Sequence, residues 1–133
     1  MKRAYVDTSA LVAIHFREPA AAAVARSLRV QEQLLSATFV VAELLSALAR
    51  ERRPPGEADR LVRRLSLFSP EGSLRAECEE ALSSAPLRGA DLWHVATALA
   101  LAGRRGRNAL TFCTLDAAQA DVARVLGFPV VPD

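Results

Sequence analysis

Four of the fifteen acidic residues lie in apolar or small-residue surroundings rather than where solvent would hydrate them. They are Asp7, Glu43, Asp91 and Asp116. Carboxylates are rarely buried without a partner, and four of them brought together would repel one another unless a cation lay between them. Mg²⁺ and Mn²⁺ prefer such hard oxygen ligands. The pattern therefore predicts a divalent-cation site, provided that the fold gathers these side chains.

Each acid also has a simpler structural explanation. Asp7 and Asp91 are suited to capping helix N-termini, and Asp116 suits a first helical turn, where the helix dipole favours negative charge. Glu43 is harder to explain in this way, because it lies within the apolar helical pattern FVVAELLSAL. Glu57, in contrast, is expected in an exposed polar turn.

Histidine and cysteine are too sparse for a zinc site. The chain has two of each, and no Cys-x-x-Cys pair is present. Cys78 and Cys113 are predicted to be small hydrophobic residues. His94 lies three residues after Asp91 on the same helix face, so it could orient that carboxylate, meet a phosphate, or be a hydrogen-bonded core residue.

Short apolar segments alternate with helical patterns along the chain. Strands are predicted at 3–6, 33–37, 67–68, 109–113 and 128–131. Helices are predicted at 10–16, 19–30, 39–52, 57–65, 73–83, 91–102 and 117–126, with Thr38 as a cap and Gly127 as a stop. This alternation is typical of a three-layer α/β/α sandwich with a short, mainly parallel central sheet. Asp7 and Asp116 would then emerge at one carboxyl edge, the usual ligand-binding edge, with Glu43 leaning toward it.

Length and composition indicate one globular domain spanning residues 1–133. No apolar run is long enough to span a bilayer and no signal-peptide pattern opens the chain, so a cytoplasmic protein is expected. The net charge is only +2, and Lys2 is the one lysine beside sixteen arginines. Arginine clusters at 50–53, 60–64 and 104–107 would either face solvent or contact nucleic-acid phosphates. The charge pattern alone does not establish nucleic-acid binding.

Four motifs in order carry a family resemblance across nearly the whole chain: YVDTSALVAI, SATFVVAELLSAL, LRGADLWHVATALA and FCTLDAAQADVARVLGFPVV. Together they resemble PIN-domain nucleases, and within that superfamily the VapC-type ribonuclease toxins of prokaryotic toxin–antitoxin pairs. The resemblance implies a small parallel sheet with helices on both faces. It also implies an acidic Mg²⁺ (or Mn²⁺) site at the carboxyl edge that cleaves RNA phosphodiester bonds.

The resemblance assigns roles residue by residue. Asp7, Glu43, Asp91 and Asp116 match the four acids of the family, Ser9 and Thr114 match its hydroxyls, and His94 falls where D-x-x-H is common. Asp7, Asp91 and Asp116 would hold the metal directly or through water, while Glu43 would help hold it or orient the attacking water. The metal would lower the pKa of that water and stabilise charge on the phosphate. Arginines at the edge would contact the RNA backbone.

The resemblance also implies partners, and other functions stay open. A cognate antitoxin would fill a groove, for which helices 19–30 and 39–53 are candidates unless they are ordinary core, and a homodimer is expected. The alternatives are a PIN nuclease acting in RNA processing or DNA cleavage without an antitoxin, and a non-catalytic binding module on the same fold. An aspartyl-phosphate phosphatase is disfavoured, because Ser9 stands where its second Asp is needed and Lys2 is the sole lysine.

Overall fold

A five-stranded sheet runs through the centre of the molecule. The computed structural model describes residues 1–103 and 106–133. The strands are β1 (Arg3–Val6), β2 (Gln33–Ala37), β3 (Leu65–Phe68), β4 (Leu110–Cys113) and β5 (Val130–Val131), in the order β3-β2-β1-β4-β5. Every neighbouring pair is parallel. The predicted α/β class is confirmed, and β1 and β4 are adjacent at its centre.

Seven helices cover the two faces of the sheet in the described part of the chain. They are α1 (Thr8–His15), α2 (Ala21–Arg29), α3 (Phe39–Arg50), α4 (Glu57–Val62), α5 (Arg75–Leu82), α6 (Gly89–Ala102) and α7 (Ala117–Val125), and a 3₁₀ turn (Arg107–Ala109) precedes β4. Ala4 and Val6 of β1 pack into a core with α1 to α4, whereas Tyr5 packs into a second core with α5 to α7. Successive side chains of β1 thus point to opposite faces of the sheet, and each face packs against its own layer of helices.

The boundaries differ from the predicted ones mainly around β3. Helix α4 ends at Val62 rather than 65, because Leu65 already pairs with Leu34 as the first residue of an edge strand. Thr38 precedes α3 but makes no side-chain capping bond, and its N–H instead donates to the Phe68 carbonyl (3.0 Å). Gly127, at φ +102°, follows α7 and confirms the predicted stop.

Three further expectations concern membrane spans, the basic turn after α6 and the two cysteines. In residues 1–103 and 106–133, no helix is both long and apolar enough to cross a membrane. Within the basic turn predicted after α6, Arg104 and Arg105 lie outside the described residues. Both cysteines are free, Cys113 being buried and Cys78 partly so.

Candidate active site

The structure brings all four predicted acids to one cavity of about 540 Å³ at the carboxyl edge of the sheet. Asp7 and Asp116 reach it from the ends of the neighbouring strands β1 and β4, Glu43 from α3 and Asp91 from α6. Residues that are far apart in sequence meet there because parallel strands direct their following loops to the same edge.

Asp7 is the most deeply buried of the four, with 2% of its surface exposed. Its Oδ1 accepts hydrogen bonds from Ser9 Oγ (2.7 Å) and the Ala10 N–H (3.4 Å), and its Oδ2 accepts one from Thr114 Oγ1 (2.9 Å). Burial raises the pKa of Asp7, although these bonds oppose that effect. Asp7 therefore caps α1 and also faces the cavity, so the structural and chemical explanations hold together.

The two hydroxyls expected beside the acids link β1 to β4. Ser9 Oγ accepts the Leu115 N–H (2.9 Å), and Thr114 Oγ1 accepts the Asp116 N–H (3.0 Å). Both hydroxyls also donate hydrogen bonds to Asp7, so in this structure they hold the Asp7 carboxylate in place. Their predicted role toward a water or a phosphate stays a prediction.

Asp116 and Asp91 exchange the structural positions expected from the sequence. Asp116 is the N-cap of α7, and its Oδ1 accepts the Gln119 N–H (2.9 Å). Asp91 is not a cap but the third residue of α6. It stays in the first turn, where the helix dipole still favours a negative charge.

Gln119 is a site residue that the sequence reasoning missed. Its Nε2 donates to Asp91 Oδ1 (2.8 Å), and its backbone N–H donates to Asp116 Oδ1 (2.9 Å), so one residue joins two of the acids. The side chain is 1% exposed, and among the described residues its Oε1 has no hydrogen-bond partner. The feature of the sequence that could have indicated this role is the amide side chain of Gln119, three residues after Asp116 in TLDAAQA.

Glu43 is held by two donors on one oxygen. Thr8 Oγ1 (2.6 Å) and His94 Nε2 (2.5 Å) both contact Glu43 Oε1. Burial alone would raise the pKa of Glu43, but the hydrogen bonds from His94 and Thr8 bring it below its ordinary value. Tyr5 Oη lies 2.6 Å from the other ring nitrogen of His94, Nδ1.

His94 is 1% exposed, which favours the interpretation of a hydrogen-bonded buried histidine. Its partners are Glu43 and Tyr5, so it belongs to the site by supporting a different acid from Asp91. His94 also lines the cavity, so its predicted contact with a phosphate stays a prediction.

Positive charge at the cavity is scarce. Arg50 and Arg88 line it, and in the described residues the one ion pair between arginine and a cavity acid joins Arg88 Nε to Asp91 Oδ2 at 3.9 Å. Four carboxylates therefore face little compensating charge from the protein. Such an excess is what a bound cation would relieve.

The donor set fits a hard cation that keeps part of its water. No three His, Cys, Asp or Glu side chains within residues 1–103 and 106–133 stand close enough to form a ready chelating group. Mg²⁺ needs only one or two direct carboxylates and retains several waters, so acids spread around a roomy cavity suit it. The unpartnered Gln119 Oε1 adds a neutral oxygen at the same wall.

A groove continues from the acids along α1 and α3. A neighbouring cavity of about 320 Å³ shares Val12, Ala47 and Arg50 with the first and adds Phe16, Glu18 and Glu51. Helix α3 was one of the expected groove helices, but no residue of α2 lines either cavity in the described part of the chain. Helix α2 packs instead into the core through Val24 and Leu28.

Away from this cavity, Glu57 is buried, and the prediction of an exposed polar turn was wrong. It is 5% exposed, with its Oε1 2.5 Å from His15 Nε2 and its Oε2 2.8 Å from Arg53 Nη2. Arg53 supplies the countercharge that a buried carboxylate needs. Glu57 thereby ties α4 to the end of α1.

Comparison with known proteins agrees with this architecture. The family model described as PIN domain matches residues 4–125. Ribonuclease VapC46 of Mycobacterium tuberculosis (strain ATCC 25618 / H37Rv) is 31% identical over 132 residues, which cover 98% of each chain. The solved structure of VapBC-1 from nontypeable Haemophilus influenzae has a TM-score of 0.66 at 16% identity, covering 97% of this chain and 96% of that one. The resemblance predicted from the four motifs is confirmed.

Proposed function

Because the chain belongs to the PIN-domain family, we propose that it is a Mg²⁺- or Mn²⁺-dependent endoribonuclease, the toxin of a toxin–antitoxin pair. The observation that carries the proposal is the convergence of Asp7, Glu43, Asp91 and Asp116 on one cavity with little positive charge to match them. Residues 1–133 would form a single nuclease domain, acting in the cytoplasm.

Each acid has a place in this proposal. Asp7, Asp91 and Asp116 would hold the cation directly or through water, with Gln119 keeping Asp91 and Asp116 in register. Glu43 would hold the cation or accept a hydrogen bond from the attacking water, orienting it toward the phosphate. The cation would lower the pKa of that water and stabilise charge on the phosphate.

RNA is the favoured substrate because the relative with 31% identity is named a ribonuclease. Arg50 and Arg88 stand at the rim of the cavity, where their planar guanidinium groups would contact backbone phosphates. Such contacts supply affinity rather than sequence choice.

An antitoxin partner is supported by the same relative and by the groove. Val12, Phe16 and Ala47 form an apolar path that ends at the acids. A peptide with an apolar stretch followed by a basic side chain would fit the apolar path and the acids.

The predicted homodimer is part of the proposal, and sedimentation of the purified chain would check it.

The test is cleavage of matched RNA and DNA pools by purified protein in EDTA, Mg²⁺ or Mn²⁺. We expect metal-dependent cutting of RNA, abolished by Asp7→Asn and by Asp91→Asn while both variants stay folded by circular dichroism. Cutting in EDTA, or by either variant at the wild-type rate, would contradict the metal site. Cleavage of the DNA pool without cleavage of the RNA pool would mean that the substrate is DNA.

A very narrow RNA target could hide the activity in a pool, so a second measurement is needed. Calorimetric titration with Mn²⁺ reports the metal site without any substrate. Binding that is lost in Asp7→Asn supports the site, whereas absence of binding in the wild type would favour a non-catalytic module.

A further inference from the structure

We propose that Tyr5 is a positioning residue, whose hydroxyl fixes the tautomer of His94 and thereby holds the Glu43 carboxylate toward the cavity. The inference rests on the proposed function for its kinetic consequence, but the hydrogen-bond chain itself does not. Tyr5 reads from the sequence as an ordinary strand residue, two positions before the first acid.

The Tyr5 ring is fixed from several sides. It is wholly buried, it stacks on Phe112 with centroids 5.4 Å apart, and it meets the His94 ring edge-on at 5.7 Å. A residue so enclosed cannot reach substrate. Its hydroxyl also interacts with Ser36, Ala37 and Thr97, but the partner that leads to a cavity acid is His94, whose Nδ1 lies 2.6 Å away.

For a neutral His94 ring, counting hydrogens selects one arrangement of this hydrogen-bond chain. A carboxylate oxygen only accepts, so the His94 nitrogen that lies 2.5 Å from Glu43 Oε1 must carry a hydrogen. In the neutral ring this leaves Nδ1 as a bare acceptor inside the core. The Tyr5 hydroxyl is the donor that satisfies it, so the chain runs from Tyr5 to His94 to Glu43.

The consequence falls on the geometry of Glu43. His94 and Thr8 both donate to Oε1, and in the described residues no hydrogen bond falls on Oε2. One oxygen is therefore held while the other is left for the cavity. Without the Tyr5 hydroxyl, Nδ1 would lack its donor, and the ring would no longer be committed to pointing an N–H at Glu43.

Nitrogen-15 NMR of histidine-labelled protein tests the first link, without metal or RNA. The chain has only two histidines, so His94→Gln assigns the signals. We expect His94 to be the Nε2–H tautomer in the wild type and a mixture of forms in Tyr5→Phe, which removes only the hydroxyl. Phe112→Leu is the matched control, because it loosens the same ring stack and should leave the tautomer unchanged.

Kinetics test the second link. Supporting residues of this kind change affinity or activity by about 10- to 100-fold, so we expect Tyr5→Phe to lower kcat about tenfold with KM for RNA unchanged. In a His94→Gln background the same change should cost nothing further, because the path to Glu43 is already cut.

The outcomes separate this inference from the proposed function. An unchanged His94 tautomer in Tyr5→Phe, or fully additive losses in the double variant, would overturn the role of Tyr5. If Tyr5→Phe changes the His94 tautomer but the wild-type protein binds no Mn²⁺ and cuts no RNA, the chain from Tyr5 to Glu43 is supported and the nuclease function is contradicted.

Discussion

Glu43 and Glu57 make the same contact in two regions and differ in everything around it. Each carboxylate lies 2.5 Å from a histidine Nε2, His94 for Glu43 and His15 for Glu57. Glu57 also pairs with Arg53 at 2.8 Å, and its side chain is 6% exposed. The Glu43 side chain is 24% exposed at the wall of the acidic cavity, and among the described residues its one further donor is the neutral Thr8 hydroxyl.

The difference shows how this fold treats buried acids. At Glu57 the arginine Arg53 completes the neutralisation, and the acid joins the end of α1, the loop after α3 and the start of α4. At the cavity the negative charges converge, and within residues 1–103 and 106–133 the one arginine that pairs with them is Arg88, at 3.9 Å from Asp91. We infer that Glu57 contributes to stability, whereas the cavity acids keep their charge for a cation that comes from solution.

The comparison is tested most directly by two matched variants, Glu43→Gln and Glu57→Gln. Each removes one negative charge and keeps the size of the side chain. We expect Glu43→Gln to abolish RNA cleavage, because the cation or attacking water loses a carboxylate, and Glu57→Gln to cleave at the wild-type rate at neutral pH. Single-turnover cleavage with saturating Mn²⁺ measures both.

The stabilities of the two variants should differ in the opposite sense from their activities. Glu57→Gln is expected to be the less stable in thermal denaturation, because Arg53 loses its buried partner. If Glu57→Gln lost cleavage while remaining folded, the division between a structural and a functional acid would be wrong.

A smaller effect is expected at Gln119, which joins Asp91 to Asp116. Gln119→Leu removes the donor to Asp91 Oδ1 and keeps the apolar packing of α7. Supporting contacts of this kind are worth about 10- to 100-fold in metal affinity, so we expect the Mn²⁺ dissociation constant to rise about tenfold. Calorimetric titration measures it.

Val122→Ala is the control for this prediction. Val122 is buried on the same helix and does not line the acidic cavity. It should lower the free energy of unfolding and leave Mn²⁺ affinity unchanged. Equal Mn²⁺ affinity in Gln119→Leu and the wild type would mean that Asp91 does not depend on Gln119.

The sequence was sufficient for the fold and for the meeting of the acids. Apolar strands without a polar face, alternating with helices, allow little besides a covered parallel sheet. Once β1 and β4 are strands of one such sheet, Asp7 and Asp116 share an edge. Glu43 was recognised because a carboxylate in an apolar helix needs a partner.

What escaped prediction depends on contacts between distant elements. Glu57 looked exposed because its burial requires the end of α1 to deliver His15, which no local pattern encodes. For His94 the prediction of a hydrogen-bonded core residue agrees with the structure, but its partners, Tyr5 and Glu43, were not predicted from its spacing to Asp91. Periodicity predicts which residues face inward, whereas their partners depend on how the layers are stacked.

The smallest expected effect concerns the pH dependence of stability. The hydrogen bond from Arg53 lowers the pKa of Glu57, burial opposes it, and the contact with His15 adds to the lowering. In the unfolded chain the pKa of a glutamate is about 4.3. The contribution of Glu57 is therefore complete above that value and is lost as the pH falls through the lower pKa of the folded state.

Thermal unfolding between pH 7 and pH 3 should show this difference. We expect the melting temperature of Glu57→Gln to fall less steeply on acidification than that of the wild type, so that the two approach each other at the acid end. Glu79→Gln is the matched control, because Glu79 also pairs with an arginine at i,i−4, Arg75, at 2.7 Å, but on the surface. Exposed pairs contribute little to stability, so the melting temperature of Glu79→Gln should fall with pH as that of the wild type does.

If the melting temperatures of Glu57→Gln and the wild type fell in parallel on acidification, Arg53 would not stabilise the ionised form of Glu57. Glu57 would then differ from Glu43 only in its position in the fold.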